Sequence, residues 1–122
     1  MIERFIPTRT HGIVDYVTGA TLAAVPWLFH FDDEDAATNI MVTLGAGALA
    51  YSLLTDYELG AKKVIPMDTH LKLDAASGVL LAASPWLFGF ARRVWVPHVI
   101  FGVFEVIASL STRRSPERDS AL

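Results

Sequence analysis

Polar and apolar positions divide the chain into four long apolar runs, roughly 12–29, 36–55, 70–88 and 95–112, joined by short polar connections. Each run holds about 18–20 residues, close to the ~20 that a helix rising about 1.5 Å per residue needs to cross a hydrocarbon core. None shows the charged stripe that a helix of a water-soluble bundle sets opposite its apolar face. The run AATNIMVTLGAGALAYSLLT, residues 36–55, has no charged residue, and the others contain only Asp15, Lys72 with Asp74, and Glu105. Small residues recur four apart at Gly19/Ala23, Ala46/Ala50 and Gly78/Ala82, a spacing that lets helix backbones approach in lipid. The pattern predicts an all-α fold of four transmembrane helices.

The runs also repeat. Sliding the chain on itself by 59 positions lays THGIVDYVTGATLAAVPWLFHF (10–31) over THLKLDAASGVLLAASPWLFGF (69–90), so that His11 meets His70, Asp15 meets Asp74 and Gly19 meets Gly78. Beyond that stretch the offset becomes 57, with Gly45 over Gly102 and YSLLT (51–55) over ASLST (108–112). This self-similarity predicts two tandem two-helix repeats, about 8–60 and about 67–112, in one membrane domain with a disordered tail from about 113 to 122. Because each unit crosses twice, the repeats are expected to be parallel, related by a pseudo-two-fold axis along the membrane normal.

The shared PWLF heptads read as exit signals. Pro26 and Pro85 loosen the last helical turn, and Trp27 and Trp86 suit the headgroup level, where an indole ring is half in lipid and its N–H meets water. Val25 replaces Ser84 in the first copy, which removes one possible back-bond to the helix. TDYELGAKK (55–63) is expected to end the second helix near Gly60. Arg4, Arg9, Lys62, Lys63, Lys72, Arg113, Arg114 and Arg118 fall on one side, against Arg92 and Arg93 on the other, which places both termini in the cytoplasm.

Composition adds exclusions. At 52% hydrophobic and 19% charged, with mean hydropathy +0.40, the chain is more apolar than ordinary soluble domains. A net charge of −3 without a basic stripe gives no support for nucleic-acid binding. No cysteine is present, so thiolate metal sites and Cys nucleophiles are excluded, and no removable signal peptide is read at the N-terminus. No nucleophile triad, phosphate-binding loop or dinucleotide fingerprint occurs, and no enzymatic activity is expected.

Ionisable residues inside a span are costly enough to be functional candidates. His11, Asp15 and Gly19, and His70, Asp74 and Gly78, each lie on one helical stripe, and Glu105 falls at a similar depth from the same side. All five polar residues are expected in one intramembrane cluster, made asymmetric by Ala48 at the position of Glu105. In the structural account, Thr10 and Thr69 are N-caps and the carboxylates bond to histidine, Tyr16 or backbone. In the alternative, His11 and His70 bind a cofactor, haem or a divalent metal, with Asp15, Asp74 or Glu105 as further ligands. A proton or ion path is a third account. His98 is expected neutral or water-facing on the outer side, and His30 beside DDED belongs to a solvated acidic loop.

The doubled H-x3-D-x3-G…[SV]PWLF-x-F pattern, with TDYELG (55–60) and PHVIFGVFEV (97–106), resembles the SPW-repeat family of small bacterial membrane proteins. The resemblance implies two repeats of two transmembrane helices in a bacterial inner membrane, and no reaction. The expectation is a small integral membrane protein in a structural or interaction role, with the lipid bilayer as its surroundings and a homo-oligomer as a further possibility.

Overall fold

The computed structural model describes residues 4–116, so Arg118 and most of the expected tail lie outside the described residues. Within them the chain forms four α-helices: α1 (Thr8–Leu28), α2 (Asp35–Leu53), α3 (Met67–Leu87) and α4 (Val96–Ser111). α1 pairs with α2 and α3 with α4, and α2 lies against α3 between the two hairpins.

The helices of α1 and α3 start earlier than the apolar pattern suggests, and their caps are not threonines. Pro7 (φ −64°, ψ 149°) and Pro66 (φ −60°, ψ 147°) are the extended N-cap residues, and neither helix has a side-chain cap. A proline N-cap holds φ near the helical value and directs its carbonyl into the first helical bond, here from the backbone N–H of His11 at 3.0 Å and of His70 at 3.0 Å. Thr10 and Thr69 therefore lie inside the first turn. α2 ends at Leu53, well before Gly60.

The PWLF-x-F heptads are helix stops of one kind. The N–H of Phe31 bonds to the carbonyl of Pro26 (2.9 Å) and that of Phe90 to Pro85 (2.8 Å), across a residue with positive φ, His30 (60°) or Gly89 (75°). A left-handed residue bridged by this long bond is the Schellman C-cap, and its accompanying apolar contact is supplied by the buried Phe31 and Phe90. Proline removes one helical donor in the last turn and supplies the carbonyl that accepts the closing bond. Ser84 donates to the carbonyl of Leu81 (2.7 Å), the back-bond that Val25 cannot make.

Both hairpins close on a glycine pair. A Cβ built on Gly45 would lie 2.8 Å from the carbonyl oxygen of Gly19, and one on Gly102 would lie 2.5 Å from that of Gly78. Ala23 and Ala82 flank these contacts, whereas Ala46 and Ala50, expected to pack likewise, are exposed.

Two isolated parallel bridges tie the ends. Ile6, just before α1, pairs with Thr112, just after α4, and Ile65, just before α3, pairs with Thr55, just after α2. The first is made by Ile6 N–H to Ser111 O (2.9 Å) and Arg113 N–H to Ile6 O (3.0 Å), so the chain is still fastened where the sequence suggests a disordered tail. At the opposite end Arg93 reaches Glu34 (3.4 Å) and Asp33 (3.8 Å), joining the two PWLF loops.

The polarity of the bundle is inverted. Apolar residues gather near the PWLF end, around Leu22, Val25, Met41, Leu81 and Phe90, and a smaller group of Tyr57, Met67 and Leu71 lies at the other end. Between Thr10 and His30 every exposed residue of α1 is apolar, and α4 from Val96 to Leu110 exposes only apolar side chains. α2 after Asp35 and α3 after Lys72 also expose no charge. Judged by length and composition alone, only α2 among the described helices is both long and apolar enough to cross a membrane; α4 is apolar but shorter. α1 and α3 fall short on that average because they carry the polar residues that face inward.

Candidate functional site

Within the first two turns or so of α1 and α3, at the end of the bundle that holds both bridges, His11, Asp15, His70 and Asp74 converge. One ligand-type atom from each lies within 4.8 Å of all the others, and all four residues are buried. The i, i+4 spacing stacks each aspartate one turn below its histidine. It yields His11 Nε2 to Asp15 Oδ1 at 3.0 Å and His70 Nε2 to Asp74 Oδ2 at 3.1 Å. The crossed pairs are closer, with His11 to Asp74 at 2.7 Å and His70 to Asp15 at 2.9 Å. The site thus belongs to neither hairpin alone. The imidazole rings meet edge to face, 5.5 Å apart at 80°.

The other nitrogen of each ring is held by a threonine from a bridge: His11 Nδ1 to Thr112 Oγ1 and His70 Nδ1 to Thr55 Oγ1, both 2.7 Å. Each hydroxyl has already donated its proton to the carbonyl four residues back, Thr112 to Ala108 (2.6 Å) and Thr55 to Tyr51 (2.7 Å). With its one hydrogen used, the threonine oxygen can only accept, so both Nδ1 atoms carry hydrogen and both Nε2 atoms face the carboxylates.

Two phenols complete the surround. Tyr57 donates to Asp15 Oδ2 (2.8 Å), and Tyr51 donates to Asp74 Oδ1. Burial first, and the Asp15 carboxylate after it, push the Tyr57 phenol above its usual range, so it remains a donor. Tyr16, the expected phenolic partner, instead donates to the Leu59 carbonyl (2.8 Å), and Thr8 donates to Glu58 (2.8 Å).

Glu105 stands apart from the four. It is buried, its Oε2 has no hydrogen-bond partner among the described residues, and it lines a cavity of about 20 Å³ with His11, Asp15, Asp74, Ala48 and Ala108. Ala108 occupies the repeat position of Tyr51, and the missing ring leaves this space, large enough for one water. It is far smaller than the ~300 Å³ of a small-molecule pocket, so no haem-sized space adjoins these residues as they stand. His98 is wholly buried, with Nε2 3.0 Å from the Ala37 carbonyl and its ring against Phe90, and is not water-facing. His30 is exposed in its loop, and Trp27 and Trp86 are half-exposed beside Leu28 and Leu87.

Sequence reasoning brought four of these groups together correctly and missed Thr55, Thr112, Tyr51 and Tyr57. The threonines had a signal, since the 57-residue offset already laid one over the other. The tyrosines had none, because their repeat positions, Ala108 and Arg114, are not aromatic.

These features define a class: an all-α protein whose apolar exterior encloses a shared His/Asp centre. The SPW repeat domain matches residues 9–112, and the chain belongs to that family. No curated protein and no solved structure matches it.

Proposed function

We propose that this chain is a four-span integral protein of a bacterial inner membrane, built by tandem duplication, with both termini cytoplasmic. In this reading its role is structural or interactive rather than enzymatic, and the buried His/Asp centre latches one repeat to the other. The observation that carries the reading is the inverted polarity: a belt without exposed charge surrounds a bundle whose buried positions include three histidines, two aspartates and a glutamate. In water such a surface would be an aggregation liability, whereas in lipid it is the solvated face, and polar groups are driven inward to pair. Helices of 21, 19, 21 and 16 residues reach about 24–31 Å, near the hydrocarbon thickness. The paired glycine crossings, the reciprocal Ile–Thr bridges and the two matched Thr–His bonds support descent from one duplicated unit. Apolar faces left exposed on α1 and α4 suit lipid or a second copy of the chain.

Fractionation tests the reading. The chain should stay with membranes through an alkaline wash and be released by detergent; recovery of folded chain in the aqueous fraction contradicts it. Within the folded protein, Thr55→Val and Thr112→Val each strand a buried Nδ1 donor and should lower stability by about 1–3 kcal/mol. Similar losses from both, read by thermal unfolding in detergent, are expected of a reciprocal latch.

A further inference from the structure

We propose that His11, Asp15, His70 and Asp74 form a site for one divalent transition-metal ion of the zinc type. This goes beyond the latch reading and does not depend on it, because the same residues can hold the repeats together with or without an ion.

Three independent features point to it. First, the four donor atoms come from two helices yet all lie within 4.8 Å of one another. An ion with ~2.0 Å bonds in tetrahedral geometry separates its ligands by about 3.3 Å, so the four His–Asp separations of 2.7–3.1 Å would open by about 0.2–0.6 Å on binding while the longest separation in the group, within 4.8 Å, would close. Second, both tautomers are set by Thr55 and Thr112, with hydrogen on Nδ1 and Nε2 turned to the centre. Metal-binding histidines are held in this way, their second nitrogen donating to a fixed acceptor. Tyr51 holds Asp74 by Oδ1, leaving Oδ2 to the two histidines, and Tyr57 donates to Asp15 Oδ2, leaving Oδ1 turned to His11.

Third, His70 Nε2 is fully buried and lies 2.9 Å and 3.1 Å from the two carboxylates, but no hydrogen bond of sound geometry joins it to either. A buried nitrogen this close to two carboxylates, without a directed hydrogen bond to either, is open to a cation shared by all three groups.

Charge agrees. Two neutral imidazoles and two carboxylates offset a divalent cation, leaving no net charge buried in a low-dielectric interior. Imidazole nitrogens favour zinc and its neighbours over magnesium and calcium, which prefer all-oxygen shells.

The test uses the full chain, purified in detergent and stripped with a chelator, titrated with ZnCl2 against a chromophoric competitor. One zinc per chain is expected, unaffected by excess MgCl2, and CoCl2 should give the visible d–d absorption of a tetrahedral centre. Asp74→Asn should weaken binding at least 100-fold, and Thr112→Val, which leaves all four ligands in place, about 10–100-fold. Replacing His30 and Asp33 in the acidic loop should change nothing. The proposal is overturned by absence of saturable one-to-one binding, by binding that survives Thr112→Val and Asp74→Asn at native helix content, or by binding lost with the loop variants. Should Asp74→Asn fail to fold, Thr112→Val decides. A helical, membrane-extracted chain that binds no zinc refutes the metal site and leaves the latch standing.

Discussion

His30 and Gly89 hold the same left-handed backbone with different chemistry, at φ 60° and 75°. A Cβ added at Gly89 would touch nothing within 4 Å, so Gly89→Ala isolates the backbone cost of that conformation. It should destabilise the chain by about 1 kcal/mol, and His30→Gly should stabilise it by a similar or smaller amount, since the histidine already bears the cost that glycine avoids. Thermal unfolding of the two variants in one detergent checks both signs. At this scale the sequence was legible where residue type and spacing coincide, as in His11 over His70 and Asp15 over Asp74. It was misleading where a better local solution existed. Thr10 and Thr69 look like caps, yet proline at the preceding extended position starts the helices earlier. Glu105 has the right depth but stands on a cavity wall, because depth along a helix does not fix the direction a side chain takes across the bundle.

At the scale of the element, the four helices follow from their apolar runs, but their packing follows from glycine. The carbonyl of Gly78 and the backbone of Ala82 lie 2.5 Å and 2.6 Å from where a Gly102 Cβ would be, and backbone cannot give way as a flexible side chain can. Gly102→Ala should therefore push α4 off α3 and cost about 1–3 kcal/mol. Gly47→Ala, at an open position on α2, should be neutral or slightly stabilising through better helix propensity. Unfolding measured side by side tests whether close backbone approach or general glycine content sets hairpin stability. The small-residue spacing made Gly19 and Gly78 legible as contacts. It also nominated Ala46 and Ala50, which face outward, since spacing identifies a stripe without saying which neighbour it meets.

At the scale of the whole molecule, two hairpins become one bundle through contacts that repeat reciprocally: Ile6 with Thr112, Ile65 with Thr55, His11 with Asp74 and His70 with Asp15. The self-similarity of the two halves is plain in the sequence because its offset is nearly constant. The cross-repeat pairing is not, since a one-dimensional alignment shows which residues are alike and not which of them touch. Average hydropathy likewise understates α1 and α3, whose polar residues are spent inside, while the exposed positions carry the signal. That outer belt, free of charge between the Arg9, Asp68 and Lys72 end and the Asp33 and Arg93 end, is what the membrane reading stands on. The chain contains no cysteine, so single cysteines can be introduced without background. In intact bacteria, a membrane-impermeant maleimide should label Asp33→Cys and Arg93→Cys, and should label Lys62→Cys and Arg114→Cys only after permeabilisation. Labelling of positions 33 and 62 from the same side, or of all four in a detergent-free soluble fraction, would contradict the four-span account.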